Sequence, residues 1–582
     1  MKSLLQRTNN NTQAMRQLCF WTIALLLFSQ SATDSLPNFT APVQGTIQLT
    51  GTFGELRGNH FHAGLDIRGA VGRPVYAIAD GYISRIRVTV SGYGQALYVQ
   101  HPNSGHTAVY GHLDRFRDDL MAFTRREQYK QESFLLDEEL PQDSFPVRQG
   151  ELIGYIGQRG YVSGPHLHFE IRDTETERSL NPMNFGITVP DSRQPQIRGL
   201  RFYQLSERGN VLSGKDYSVQ GRGTGKYVLA VDTLYTDQPI IAFGIKAYDQ
   251  QNGRPNLNGI YSLEMYQDSQ LNFAYRMDHF LGEQTRYLNA HLDYEQQRKN
   301  NSWFQRAFVL PGNQLDFYET SERQGRIKLE PRQVSRIQFR ISDHRNNTST
   351  LELVVKRREN AVPLQNPVYT YYLPHDEENL IDDGRLRAHF PEGIFYEDVF
   401  LDYDLVEETS SGLYAPTHRI HSSLTPLHRY FDLHIRPVGL PEALKAKAII
   451  TQCDDGREPV SYGGEWTSEG RLRAPVRAFG NFTIMADTSP PEVLAERFSQ
   501  NMKGWPRFSF KISDNFPTAG KARDLRFRAE VDGQWILMEY DGRKDRLYHD
   551  FDGRIPSGDH QLVLRVVDDR GNETVVERSF KN

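Results

Sequence analysis

The stretch that most constrains the fold is Gly164-Pro165-His166-Leu167-His168-Phe169-Glu170-Ile171, where polar and apolar side chains alternate without interruption. Residues two apart share a face of a β-strand, so His166, His168 and Glu170 point one way and Leu167, Phe169 and Ile171 the other. One face is core; the other carries groups that bind metals and protons. The same parity joins His62 to Asp66, with Ala63, Leu65 and Ile67 opposite. A four-residue spacing would also suit a helix, but Gly64 and the alternation favour a strand.

The surrounding residues read as short β runs between turns. Asp80-Gly81, between Pro74–Ala79 and Tyr82–Val88, predicts a hairpin, and Pro102–Gly105 predicts a second one that delivers His112 at a strand end. Residues 114–144 are charged and helix-tolerant. They read as a partly helical insertion near the site and as a candidate steric gate. Glycines at 150, 154, 157, 160 and 164 punctuate the approach to His166.

A chain of 582 residues is too long for one core and divides into several domains. Its 38% hydrophobic content is rich in Tyr and Phe, which suits β-sheets with one wet face. The net charge of −5 comes from interspersed acids and bases, which argues against a nucleic-acid partner. Lys2, Arg7 and Arg16, the apolar run Leu18–Phe28 and the small residues Ser29–Ala32 read as a secretory signal peptide over 1–32, with an uncleaved anchor as the alternative. Cys19 and Cys453 are the only cysteines, so cleavage would leave Cys453 without an intrachain partner.

An internal repeat runs through the rest of the chain. Asp191-Ser-Arg-Gln-Pro195 resembles Asp487-Thr-Ser-Pro-Pro491, Tyr248-Asp249 corresponds to Ser513-Asp514, and Asp343-His-Arg-Asn-Asn347 resembles Asp568-Asp-Arg-Gly-Asn572. The expected division is a metal-bearing β domain over 45–187, an immunoglobulin-like β domain with extra material over 191–357, a β-rich block of unclear type over 358–486, and a second immunoglobulin-like domain over 487–582. The fold class is mainly β.

His62, Asp66, His112, His166 and His168 are more metal-competent residues than one zinc needs, since a catalytic zinc keeps three protein ligands and an exchangeable water. Spacing alone does not say which are ligands. His60, His101 and His106 lack a partner pattern and read as ordinary surface or core histidines. The pieces His62-x-Gly64-x-Asp66, Gly72 to Ala77 with Asp80-Gly81, Gly92-Tyr93-Gly94, Tyr110 to Leu113 and Gly164 to Glu170 together resemble the lysostaphin/LytM-type zinc metalloendopeptidases, which cleave peptide bonds in bacterial cell-wall peptidoglycan. That resemblance covers about residues 50–185 and implies Zn2+ as cofactor, His62, Asp66 and His168 as its ligands, and His112 and His166 as catalytic histidines. Glu170 is a candidate to orient an imidazole. The implied function is an exported endopeptidase acting on peptidoglycan peptides in the periplasm, envelope or medium. The alternative is a non-catalytic envelope protein whose β tail engages other wall hydrolases or envelope proteins.

Overall fold

The computed structural model describes residues 36–582 except 161, 360, 361, 363, 408–411 and 455. The expected signal peptide and Cys19 lie outside the described residues. The chain is mainly β, as its alternation predicts. The longest helix among the described residues has 14 residues, and none is long and apolar enough to cross a membrane.

The N-terminal unit runs β1 (Leu49–Gly51), β2 (Leu65–Arg68), β3 (Pro74–Tyr76), β4 (Gly81–Val88), β5 (Gln95–His101), β6 (His106–Gly111), β7 (Leu113–Phe116), α1 (Asp118–Gln131), β8 (Leu136–Glu139), β9 (Pro146–Val147), β10 (Leu152–Ile156) and β11 (His166–Asp173). The main sheet has the order β1-β2-β11-β6-β5-β4-β8 and is antiparallel along that path. A small second sheet has the order β3-β10-β7. The β5–β6 hairpin forms as its turn residues require, pairing His101 with His106. The hairpin expected at Asp80-Gly81 does not form, because β3 pairs with β10 while β4 pairs with β5. Those two runs belong to different sheets, and the turn residues mark a crossing between them.

Central β11 shows what alternation achieves. Leu167, Phe169 and Ile171 are all fully buried, and the Phe169 ring lies 5.4 Å from that of Tyr110 on the neighbouring strand. Phe169→Ala should therefore lower the unfolding free energy by about 3–5 kcal/mol through lost burial and a cavity, measured by denaturant unfolding.

Residues 114–144 comprise most of β7, α1 and β8, and none of them lines the cleft described below. The gate expectation is corrected accordingly. Instead α1 faces the C-terminal unit: the Tyr129 hydroxyl donates to Asp552 at 3.0 Å, its ring meets Trp535 at 5.2 Å, and Glu132 pairs with Arg528 at 2.6 Å.

Beyond residue 190 the chain forms paired sheets. A five-stranded sheet built on Gln196–Leu205 and Ile240–Tyr248 meets an eight-stranded sheet built on Val334–Ser342 and Thr348–Arg357, with Phe243 against Phe339 across the gap. Its core is continuous with that of the N-terminal unit, where Phe53 and Phe61 pack on Phe280. Residues 371–486 enclose a second core between two five-stranded sheets, and residues 492–581 a third between two four-stranded sheets. The repeat seen in the sequence recurs in burial. Val334–Ser342 and Asp559–Val567 share one alternating pattern, with every second side chain inside.

Candidate metal centre

The register of the main sheet assembles the site. His168 on β11 sits opposite Asp66 on β2 and opposite Gly111 on β6, so directly paired side chains meet on one face. His112 follows Gly111 and turns back with φ 61°, a left-handed conformation that non-glycine residues adopt at a cost. Its backbone N–H donates to the Tyr93 carbonyl at 2.8 Å. Gly157 makes that turn possible, since a Cβ there would lie 2.2 Å from the Asp114 nitrogen and 2.7 Å from the His112 carbonyl oxygen. His62 precedes β2 instead of lying within it, so strand parity did not place it. It is fixed by its own loop and by the neighbouring unit: Phe61 N–H donates to Thr285 at 2.8 Å, and Gly259 N–H to Thr52 at 3.1 Å.

His62 Nδ1–H donates to the Thr52 carbonyl at 2.8 Å, which leaves its Nε2 as a bare acceptor. On the other side, His168 Nε2–H donates to Glu170 at 2.8 Å and leaves Nδ1 bare. These two nitrogens and Asp66 Oδ1 form a triangle with sides of 2.9, 3.0 and 3.0 Å. Three acceptors facing one another are mutually repulsive unless a proton or a cation lies between them. A tetrahedral zinc holds adjacent ligand atoms about 3.3 Å apart, so this donor set fits one.

The charges around the triangle are built to serve it. Asp66 is 8% exposed; its Oδ2 accepts from Arg57 at 2.9 Å. Burial alone would raise the Asp66 pKa, but His62, His166 and His168 hold it well below the usual range. Glu170 is fully buried and accepts from His168, Tyr93 and Arg172. Desolvation opposes its charge, yet Arg172 first and then His168 and Tyr93 bring its pKa down to about 2. Burial likewise opposes a charge on His168, and hydrogen bonds to Asp66 and Glu170 raise its pKa to about 9. A cation entering the triangle takes the place of that proton.

His112 and His166 stand beside the triangle without joining it. Their rings are 4.8 Å apart, and His166 Nε2 is 3.4 Å from Asp66 Oδ1. His112 Nδ1–H donates to the Arg159 carbonyl at 2.9 Å and His166 Nδ1–H to that of Gly164 at 2.8 Å, so each presents a bare Nε2. Burial first, then the neighbouring His168 and His166, lowers the His112 pKa to about 3.

All five residues line one open cleft of about 1350 Å³. His60, read from the sequence as an ordinary histidine, is exposed on the same wall. Arg57, Tyr93 and Arg172 were missed as members of the site. Only Tyr93 carried a signal, as part of Gly92-Tyr93-Gly94. Arg543 comes from the C-terminal unit, lines the cleft and donates to the Val162 carbonyl, while Arg159 pairs with Glu539 at 2.6 Å.

The model for Peptidase family M23 matches residues 60–124, a span that holds His62, Asp66 and His112, and the model for the Zu5-like domain matches residues 370–487. The DD-carboxypeptidase/endopeptidase Mpg of Neisseria meningitidis serogroup B is 32% identical over 133 residues, which is 23% of this chain and 24% of that protein. The murein hydrolase activator NlpD of Escherichia coli is 28% identical over 144 residues, 25% of this chain and 30% of that protein. A zinc containing peptidase from Vibrio cholerae, known as a crystal structure, aligns at 24% identity over 26% of this chain and 41% of its own, with a TM-score of 0.19. The chain thus spans less than a third of the length of these curated relatives.

Proposed function

We propose, for a chain that carries a peptidase family M23 domain, that it is an exported zinc-dependent endopeptidase cleaving peptide bonds in peptidoglycan stem or cross-link peptides. The observation that carries this reading is the convergence of His62 Nε2, Asp66 Oδ1 and His168 Nδ1 beside two further histidines in one open cleft. His62, Asp66 and His168 would hold the zinc. Bound there, zinc supplies a Lewis acid and brings the pKa of its water toward about 7.

The protein's own groups do the rest. His112 and His166 each present a bare Nε2 to the cleft, so one accepts a proton from the attacking water. The imidazolium so formed returns that proton to the leaving amine, while the other histidine steadies the developing oxyanion. Glu170 holds His168 in the tautomer that frees Nδ1. Arg68 and Arg543 at the cleft suit a substrate carrying free carboxylates, which peptidoglycan peptides have.

Glu170→Gln keeps the shape but removes the charge from His168 and Arg172. It is expected to lower zinc affinity by about 10- to 100-fold in a competition titration against a chelator; unchanged affinity would contradict the positioning role.

The second reading, a regulator of other wall hydrolases, is favoured by the likeness to the murein hydrolase activator. Presence of all five candidate residues supports the enzyme. Incubation with defined cross-linked peptidoglycan fragments separates the two: the enzyme releases new amine termini by itself, whereas a regulator releases them only when a second hydrolase is added.

A further inference from the structure

The repeat in the β tail marks more than fold. Asp191, Asp249 and Asp343 in one unit, and Asp487, Asp514 and Asp568 in the other, each bring three carboxylates together, with one oxygen from each residue within 4.8 Å of the others. The placements correspond residue by residue. Asp191 and Asp487 each stand five residues before a strand, those beginning at Gln196 and Glu492. Asp249, Asp343, Asp514 and Asp568 each follow directly on the end of a strand, after Tyr248, Ser342, Ser513 and Val567.

Part of this pattern is turn architecture. Asp343 accepts from the N–H groups of Arg345 and Asn347 and from the Asn347 amide, and Asp568 accepts from the equivalent groups of Arg570 and Asn572. Turn architecture does not account for the middle aspartates. Asp249 is 5% exposed and its buried Oδ1 meets no donor; its counterpart Asp514 is only partly buried, although its Oδ1 also lacks a donor. Three carboxylates in so small a space repel one another, and leaving such charge buried costs several kcal/mol of order unless a proton or cation offsets it. A small cavity of about 30 Å³, lined by Asp191, Asp249, Asp343 and Thr52, adjoins the first cluster, and that is room for one small occupant.

We propose that the first cluster binds one calcium ion, through Asp191, Asp249 and Asp343. The donors are all oxygen and all hard, which excludes a zinc-like preference for nitrogen and sulfur. Carboxylates from three separate segments suit calcium, which accepts six to eight oxygens in flexible geometry, whereas magnesium demands near-ideal octahedral order and usually keeps several of its waters. The ion would tie the segment entering the first unit to two of its strand ends. The first site also lies against Thr52, whose carbonyl orients His62.

The test is isothermal titration of the full, zinc-loaded chain with calcium up to about 10 mM, about tenfold above the weakest dissociation constants of extracellular calcium modules. One ion per chain is expected. Asp249→Asn should abolish its uptake and Asp514→Asn should leave it unchanged, with zinc content and far-ultraviolet circular dichroism unchanged in both. No calcium uptake by the native chain, magnesium uptake of equal affinity, or uptake retained by Asp249→Asn would each overturn the assignment. Because zinc content is read separately, failure here leaves the peptidase reading standing and the reverse also holds.

Discussion

Replacing His168 by alanine is expected to leave the protein without zinc and to lower turnover by more than about a hundredfold, the upper cost of losing merely an outer partner of a metal ligand. His168 lies at the centre of the charge arrangement. Its Nδ1 closes the triangle with His62 and Asp66, and its Nε2–H is a hydrogen-bond donor to the fully buried Glu170. Removing the ring takes away one of the three proposed ligands and leaves His62 and Asp66 as the remaining pair. Leu167 and Phe169, which carry the core face of the strand, are untouched. The native fold should persist, as circular dichroism would report, while elemental analysis finds no zinc. Stoichiometric zinc in this variant would refute the ligand set.

His166→Ala and His112→Ala are expected to behave oppositely toward the metal. Neither ring belongs to the triangle, so zinc content should remain stoichiometric while turnover falls by about 10²- to 10⁴-fold, the usual contribution of general acid–base groups. The contrast with His168→Ala matters more than either number. If His166→Ala lost its zinc, the 3.4 Å approach of His166 to Asp66 would have to be read as part of the ligand shell and the division of labour abandoned. Full activity in either variant would remove that histidine from the proton transfers.

Much of this site was legible because a β-sheet converts sequence parity into spatial order. The alternation of 166–171 identified the chemical and core faces of β11, and the turn at Pro102–Gly105 correctly put His112 at a strand end. Parity could not place His62, which lies outside the strand and depends on contacts from Thr285 and Gly259, more than 190 residues downstream. Arg57 and Arg172 were invisible for a related reason: a guanidinium is common on any surface, and only the folded register shows it against a buried carboxylate. Asp80-Gly81 misled because turn residues signal a reversal without specifying which strands it joins. The charged stretch 114–144 misled because nearness in sequence to His112 is not nearness to the cleft; α1 turns its Tyr129 to Asp552 and Trp535 instead. The repeat was visible as paired aspartates, but their convergence is a property of strand ends that no linear spacing reveals.

The most direct test of the central claim is amine release from purified cell-wall sacculi by the purified chain, measured as isolated, after chelation, and after zinc is returned. The account predicts release that disappears on chelation and recovers with about one zinc per chain. Release that survives complete removal of zinc, or none from the zinc-loaded native chain on any peptidoglycan preparation, would contradict it.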